Sequence, residues 1–353
     1  MKAVRKIVKS SGTLVVALAA GLLIGCGGGG GRQAVQTTEA EAAKAPSESK
    51  QKLRKLTVTL DGREGPENVG ILMAKQRGYF ADVGLDPEIL APVFPWRPIK
   101  YVVEGIDEIG VSQEPQVVLA KARGAPIVAV GSLISRPTAA MIWLPDSKIS
   151  SIADLKGKTV AIPGVPYQKE FLRNLLASEG LTPHDVKIKR VVYNSVFALP
   201  GGRADATFGG SWNLDGVALE SKGLKPVITR VQNLNVPAYD QLEVIARSGQ
   251  VSRHPRMIRA FMSAVARGTA AAIEDPEDAA EVIAAGDESY FRGSPKQLEA
   301  EVEATVPLLS RSGYINPDKA RRLIGWMHEQ GMIKRTLPVS SLLTNEFVAP
   351  PGR

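Results

Sequence analysis

Asp61, Glu67 and Asn68 stand between an alternating strand pattern, Leu56 to Leu60, and a helical one, Asn68 to Arg77. Carboxylates and amides in such a junction can accept N–H groups from a ligand. The same positions suit helix capping, for which Asn is favoured, and the residues alone leave both uses open. Ser112, Gln113 and Glu114 occupy an equivalent place, after the short apolar run Ile109-Gly110-Val111 and before a helix from Pro115 to Arg123. Capping again competes with ligand contact there. Gly164-Val165-Pro166-Tyr167-Gln168 is a third strand-to-helix junction, and helix N-termini offer free N–H groups to acceptors or anions. Ser211 and Trp212 follow Gly209-Gly210 at a fourth. A flat heteroaromatic solute needs an aromatic wall, for which Trp212 is a candidate. Trp96, with Phe94 in a loop bounded by Pro92, Pro95 and Pro98, is the candidate for the opposite wall; packing of that loop is its alternative use. Trp143 and Trp326 sit in apolar elements and are expected in the core.

Those residues must be positioned by elements that the chain punctuates clearly. Leu56–Leu60 meets Asp61-Gly62, Asn68–Arg77 stops at Gly78, and Leu85–Leu90 is a second strand. Ile109–Ser112, the helix closed by Gly124, and Ile127–Leu133 continue a βαβα order, which implies a parallel sheet with helices on its faces. Residues 141–236 repeat the theme, with strands at MIWLP, TVAIPG, VKIKRVVY, Arg203–Phe208 and Pro226–Thr229 and a helix from Tyr167 to Ser178. A strand at 243–247 follows, and the remainder is mostly helical: His254–Glu274, Pro276–Ala285, Lys296–Leu309 and Pro317–Gln330. Asp275-Pro276 is a helix restart, because proline suits the first helical turn. The segments EGIDEIGVS (104–112) and GGRADATFGGS (201–211) echo one another: glycine, an acid, a short strand, small residues. Small residues at strand carboxyl ends leave room for a ligand in the crevice of the sheet. Two such half-sites suggest two similar lobes facing one cleft.

Composition narrows the classes. The chain has 353 residues, 44% hydrophobic and 23% charged, with 34 glycines and 24 prolines, which excludes collagen-like, coiled-coil and wholly disordered proteins. A single cysteine, Cys26, permits no internal disulfide and no Cys-rich metal site. Three histidines, His184, His254 and His328, leave little for a His-based one. No nucleophile–His–acid set, HExxH, P-loop or GxGxxG after a strand is readable, so no catalytic residue, metal or cofactor is expected. The net charge is +8, but Lys2, Arg5, Lys6 and Lys9 supply half of it before the first acid. No nucleic-acid partner is expected once that segment is removed.

That removal is itself an expectation. Thr13 to Ile24 is an apolar run after a basic start, too short for a membrane span and suited to a secretory signal. It ends in Leu23-Ile24-Gly25-Cys26, which resembles a bacterial lipobox, in which the cysteine is lipidated and becomes the first mature residue. A plain signal peptide with an incidental cysteine is the alternative. Five glycines and a polar stretch follow, so 1–25 reads as signal peptide and 26–54 as a flexible tether to the outer face of the membrane.

From Leu56 to about Ile333 the chain resembles the solute-binding proteins of ABC importers, and is most similar to the group that binds thiamine pyrimidine precursors, nitrate, or alkanesulfonates and taurine. The blocks that carry the resemblance are VTLD (58–61), GILMAKQRGYFADVGLDPEI (70–89), VVLAKARGAPIVAVGSL (117–133), IADLKGKTVAIPG (152–164) and FMSAVARGTAAAIEDPEDAAEVI (261–283). The resemblance implies a two-lobed α/β periplasmic-binding-protein type II fold, each lobe a mostly parallel sheet flanked by helices. Crossovers would lie near 137–142 and 237–243, with lobe one at 55–139 and 241–353 and lobe two at 140–240. It implies that the loop from Gly164 to Gln168 lies in the cleft, and that Asp240, at the return crossover, makes a polar contact. The pyrimidine-binding branch carries an Asp-Trp pair after the first strand and a polar loop ending in His. Asp61 matches, while Gly62 and Asn68 stand at the Trp and His positions. That departure bears on the ligand, not on the fold.

The resemblance implies a monomeric binding protein that closes over a small polar solute and delivers it to permease subunits. A thiamine pyrimidine precursor or similar heteroaromatic is the expected solute; an anion such as nitrate, taurine or a sulfonate is the alternative. The same superfamily contains fungal-type thiamine pyrimidine synthases, which use pyridoxal phosphate and iron, sacrifice an active-site histidine and carry a Cys-rich motif. This chain has no cysteine beyond Cys26 and no histidine before His184. A structural or adhesive lipoprotein is the third reading, which two polar half-sites disfavour.

Overall fold

The computed structural model describes residues 52–192, 195–286 and 293–350. The expected signal peptide, Cys26 and nearly all of the expected tether lie outside the described residues. Arg54, the last residue assigned to that tether, already opens a strand.

Ten strands form two five-stranded sheets among the described residues. In chain order they are β1 (Arg54–Thr59), β2 (Leu85–Leu90), β3 (Ile109–Ser112), β4 (Ile127–Ile134), β5 (Ala139–Trp143), β6 (Thr159–Ile162), β7 (Lys187–Arg190), β8 (Ala206–Ser211), β9 (Val227–Arg230) and β10 (Leu242–Arg247). The first sheet runs β2-β1-β3-β10-β4 and the second β7-β6-β8-β5-β9. Four strands of each run one way; the fifth, β10 in the first and β5 in the second, runs against them. Each reversed strand is the first one laid down after the chain crosses between sheets. The crossing segments are 135–138 and 231–241. The first ends earlier than expected because Ala139 and Ala140, fully buried, already belong to β5.

The sequence echo has a structural counterpart. Glu108 precedes β3 and its carboxylate accepts the backbone N–H of Thr57, on neighbouring β1, at 2.8 Å. Asp205 precedes β8 and accepts the backbone N–H of Thr159, on neighbouring β6, at 2.7 Å. The registers agree, since Val58 pairs with Ile109 and Val160 with Ala206. The two acids therefore perform the same task at the same place in two sheets.

Helices of eight residues or more are α1 (Val69–Gln76), α2 (Arg97–Glu104), α3 (Glu114–Ala122), α4 (Pro166–Ser178), α5 (Pro255–Glu274), α6 (Pro276–Ala284), α7 (Pro295–Thr305) and α8 (Pro317–Glu329). All but α1 carry proline in their first two positions, where its missing N–H costs nothing. Asp275, Ser294 and Asn316 cap α6, α7 and α8 with their side chains. The proline-rich loop expected at 92–98 runs into α2, because Pro98 opens that helix instead of breaking the chain.

Helix α1 crosses α5 in close contact. A Cβ on Gly70 would meet Thr269 Oγ1 at 2.2 Å, and one on Gly268 would meet the Gly70 carbonyl at 2.1 Å. These glycines belong to two of the blocks that carry the family resemblance. Helix α8 ties the lobes together. Lys319 donates to the Ser135 carbonyl in one crossover at 2.7 Å and bonds Asp240 in the other. Trp326 packs edge-on against Phe171 of α4, with ring centroids 5.0 Å apart. Trp143 is buried, and Trp326 packs partly exposed against the same apolar cluster.

Candidate functional site

The carboxyl ends of β1, β3, β6 and β8 converge on a cavity of about 550 Å³. One wall comes from 61–68, Pro95, Gln113 and α7, the other from Pro163, Val165, Gln168, Ser195 and 209–218. Strand ends at the crevice of an α/β sheet are where this architecture places ligands. A wider hollow of about 860 Å³ lies along the outer edge of the first sheet, lined by residues such as Lys55, Asp86 and Val282. Its walls belong to the first lobe alone, so a solute there would not couple to closure.

On the first wall, Asp61 is nearly buried and accepts from Asn68 Nδ2 at 3.2 Å and Gln113 Nε2 at 3.0 Å. Asn68 and Gln113 stand at the N-cap positions of α1 and α3, yet neither side chain caps its helix. Both amides turn to Asp61 instead. Burial lifts the Asp61 carboxyl to about 6, partly offset by these bonds. The Asp61 backbone N–H is a third donor to it, which leaves a lone pair for a further one. Glu67 is lifted to about 7 by burial and then by the like charge of Asp61.

On the second wall, Gln168 Nε2 donates to the Gly209 carbonyl at 3.0 Å. Gly209 has φ +87°, and a Cβ there would stand 2.6 Å from the Gln168 amide. A Cβ on Gly210 would stand 2.7 Å from Asp215 Oδ2. A single π-helical turn, Trp212–Gly216, folds Asp215 back so that it accepts the Ser211 N–H at 2.8 Å. Burial lifts Asp215 to about 6, and lifts Glu301 of α7 to about 7, with the Asp215 charge adding to it.

Three buried side-chain oxygens of the lining have no donor: Glu67 Oε1, Asn68 Oδ1 and Gln168 Oε1. The amide orientations are fixed by chemistry. The Asn68 nitrogen faces a carboxylate and the Gln168 nitrogen a carbonyl, neither of which donates, so the orphan atoms are oxygens. An unmet buried acceptor costs about 1–3 kcal/mol. The lining also holds five acids, Asp61, Glu64, Glu67, Asp215 and Glu301, against two cations, Arg63 and Lys222. Lys222 lies over the Phe197 ring at 3.9 Å.

Of the residues singled out from sequence, Asp61, Glu67, Asn68, Gln113, Gln168 and Ser211 are brought together in this lining. Seven are not. Tyr167 is fully buried, edge-on to Phe171 at 5.0 Å, because neighbouring helix positions point about 100° apart and Gln168 takes the cleft side. Trp212 turns away: its Nε1 donates to the Pro137 carbonyl at 3.4 Å, and the Arg230 guanidinium lies over its ring at 3.7 Å. Trp96 stacks on Phe94 at 4.9 Å and carries Arg190 of β7 over its ring at 4.6 Å. Gly164, with φ +84°, yields its Cβ space to the Arg190 side chain. Ser112, Glu114 and Asp240 lie deeper, under the crossovers. Glu114 accepts the Asp240 N–H at 2.7 Å, Asp240 bonds Lys319, and Ser112 pairs across the sheet with Glu243. Pro163, Ser195, Asp215, Gln241 and Glu301 line the cleft without having been singled out. Asp215, one helical turn beyond Ser211, carried the one local signal.

The family described as NMT1/THI5 like matches residues 65–279. The formylaminopyrimidine-binding protein of Halalkalibacterium halodurans is 29% identical over 260 residues, covering 73% of this chain and 78% of the relative. A 4-amino-5-hydroxymethyl-2-methylpyrimidine phosphate synthase of Legionella pneumophila is 26% identical over 298 residues, covering 83% and 92%. Among solved structures, the alkanesulfonate-binding protein SsuA of Xanthomonas axonopodis superposes with a TM-score of 0.65 at 15% identity, covering 82% of this chain and 98% of that one. At that identity the likeness speaks for a two-lobed binding-protein fold.

Proposed function

This chain belongs to the NMT1/THI5-like family, and on that premise we propose that it is the solute-binding component of an ABC importer, capturing a small heteroaromatic solute of the thiamine-pyrimidine-precursor class. The observation that carries this reading is the polarity of the cleft. Its three orphan buried atoms all accept, and its acids outnumber its cations five to two. A ring bearing amino groups supplies the missing donors. Nitrate and simple alkanesulfonates offer only acceptors and negative charge, so they would add to the repulsion. The relative that binds formylaminopyrimidine supports the same class.

Asp61 accepts a ring or exocyclic N–H group on its remaining lone pair, held in place by Asn68 and Gln113. Gln168 and Asp215 take donors from the other lobe. A solute favours the closed form only through contacts that both lobes make at once. Relatives named as synthases make turnover the second reading, but this chain lacks the cysteine and early histidine chemistry of that group. Export and anchoring through Cys26, and a permease partner, complete the proposal.

A thermal-shift screen of the full chain tests it. With 4-amino-5-hydroxymethyl-2-methylpyrimidine at a hundredfold over its dissociation constant, stability rises by about 2.7 kcal/mol. A shift with nitrate or taurine and none with the pyrimidine would overturn the reading.

A further inference from the structure

We propose that the solute carries a positively charged amine arm, held between the lobes by Glu67, Asp215 and Glu301. The inference rests on the reading of the cleft as the solute site, and adds a charge and a second binding end to it.

The cleft has two acceptor ends. Asp61, braced by the Asn68 and Gln113 amides, makes one. Glu67 from the first lobe, Asp215 from the second and Glu301 from α7 make the other. Burial raises Glu67 and Glu301 first; Asp61 is the larger charge effect on Glu67, and Asp215 adds to both. Repulsion between carboxylates on facing walls is relieved by protonation or by a cation standing between them. The braced Asp61 end already meets the donors of a ring. An ammonium at the other end, with three N–H donors and a full charge, answers carboxylates from both walls together.

Three further observations point the same way. Asn68 and Gln168, each at least nine-tenths buried in the lining, have carboxamide oxygens with no donor. Glu67 Oε1 is a third such oxygen, at the Glu67–Asp215–Glu301 end. The cavity, about 550 Å³, exceeds what a bare six-membered ring fills, so a substituent has room. A neutral formylated arm offers one N–H donor and no charge, against three donors and a full charge from an ammonium.

The test is calorimetric titration of the full chain with two matched pairs. One is 4-amino-2-methylpyrimidine bearing aminomethyl or hydroxymethyl at carbon 5; the other is benzylamine and benzyl alcohol. The amine of the pyrimidine pair should bind at least about tenfold tighter, a difference of about 1.4 kcal/mol. Glu301→Gln and Asp215→Asn should each shrink that ratio, with melting curves confirming that both variants fold. Equal binding by amine and alcohol in both pairs, or no binding by any of the four, would overturn the charged arm. A preference for benzylamine without binding of either pyrimidine would uphold the arm and sink the ring reading instead.

Discussion

The Asn68 amide nitrogen donates to Asp61 at 3.2 Å, and the Asn68 oxygen is left without a partner. A residue well placed to cap α1 braces a cleft carboxylate instead. Asn68→Asp therefore replaces a donor with a like charge. Binding of the pyrimidine should weaken by about tenfold or more, as befits a lost hydrogen bond to a charged group worth about 1.5–3 kcal/mol. Calorimetry at neutral pH measures it, and undiminished affinity would place the solute elsewhere.

Affinity should depend on pH with a defined sign. Burial holds Asp61 near 6 and Glu67 near 7 in the empty protein. Below those values the carboxyls are protonated and lose both charge and acceptor strength. Binding of an amino-bearing ring should rise from pH 5 to pH 8. A titration series that falls over the same range would contradict a donor solute.

Stability should move the opposite way. Under the crossovers, burial and the neighbouring Asp240 push Glu114 to about 8, and burial also raises Glu243 and Asp240; Lys319 is the cation that faces them. The folded protein keeps protons that the unfolded chain, with ordinary carboxyls near 4.5, has released. Stability is full below the unfolded value and is lost as pH rises through the folded one. Glu114→Gln should flatten the fall in melting temperature between pH 5 and pH 9.

Trp96 of the first lobe and Arg190 of the second meet across the lobes at 4.6 Å. An exposed cation–π contact is worth about 0.5–1 kcal/mol. Trp96→Ala should speed solute release by about two- to fivefold in stopped-flow measurements, that energy expressed as a rate. The melting temperature of the empty protein should stay nearly unchanged.

Gly268→Ala tests the fold itself. Its Cβ would collide with backbone of α1 at 2.1 and 2.7 Å, and backbone cannot give way as a flexible side chain can. Overpacking of this kind costs about 1–3 kcal/mol. A melting temperature equal to the parent's would mean that α1 and α5 are not so closely packed.

The strands and helices were legible wherever glycine, proline or a clean period marked them. Leu85–Leu90 and Ile109–Ser112 stand where the pattern puts them. The helix Arg97–Glu104 was hidden because the prolines before it also suit a rigid loop. The site was legible to the level of the loop and not of the residue. Tyr167 and Gln168 are neighbours, as are Gln113 and Glu114. Which of each pair enters the cleft depends on the rotation of a helix against its sheet, which spacing along the chain does not encode. Glu301 is far from Asp61 in sequence, and only the packing of α7 brings it to the same cavity.

Acids outnumber cations five to two in the cleft, and the Asp61 carboxylate is its centre. The most direct measurement is calorimetric titration of the parent and of Asp61→Asn, each with 4-amino-5-hydroxymethyl-2-methylpyrimidine and with nitrate. The account predicts pyrimidine binding to the parent, a loss of about tenfold or more in Asp61→Asn, matching about 1.4 kcal/mol or more, and no heat from nitrate with either. Nitrate binding that strengthens when Asp61 loses its charge, with no response to the pyrimidine, would contradict it.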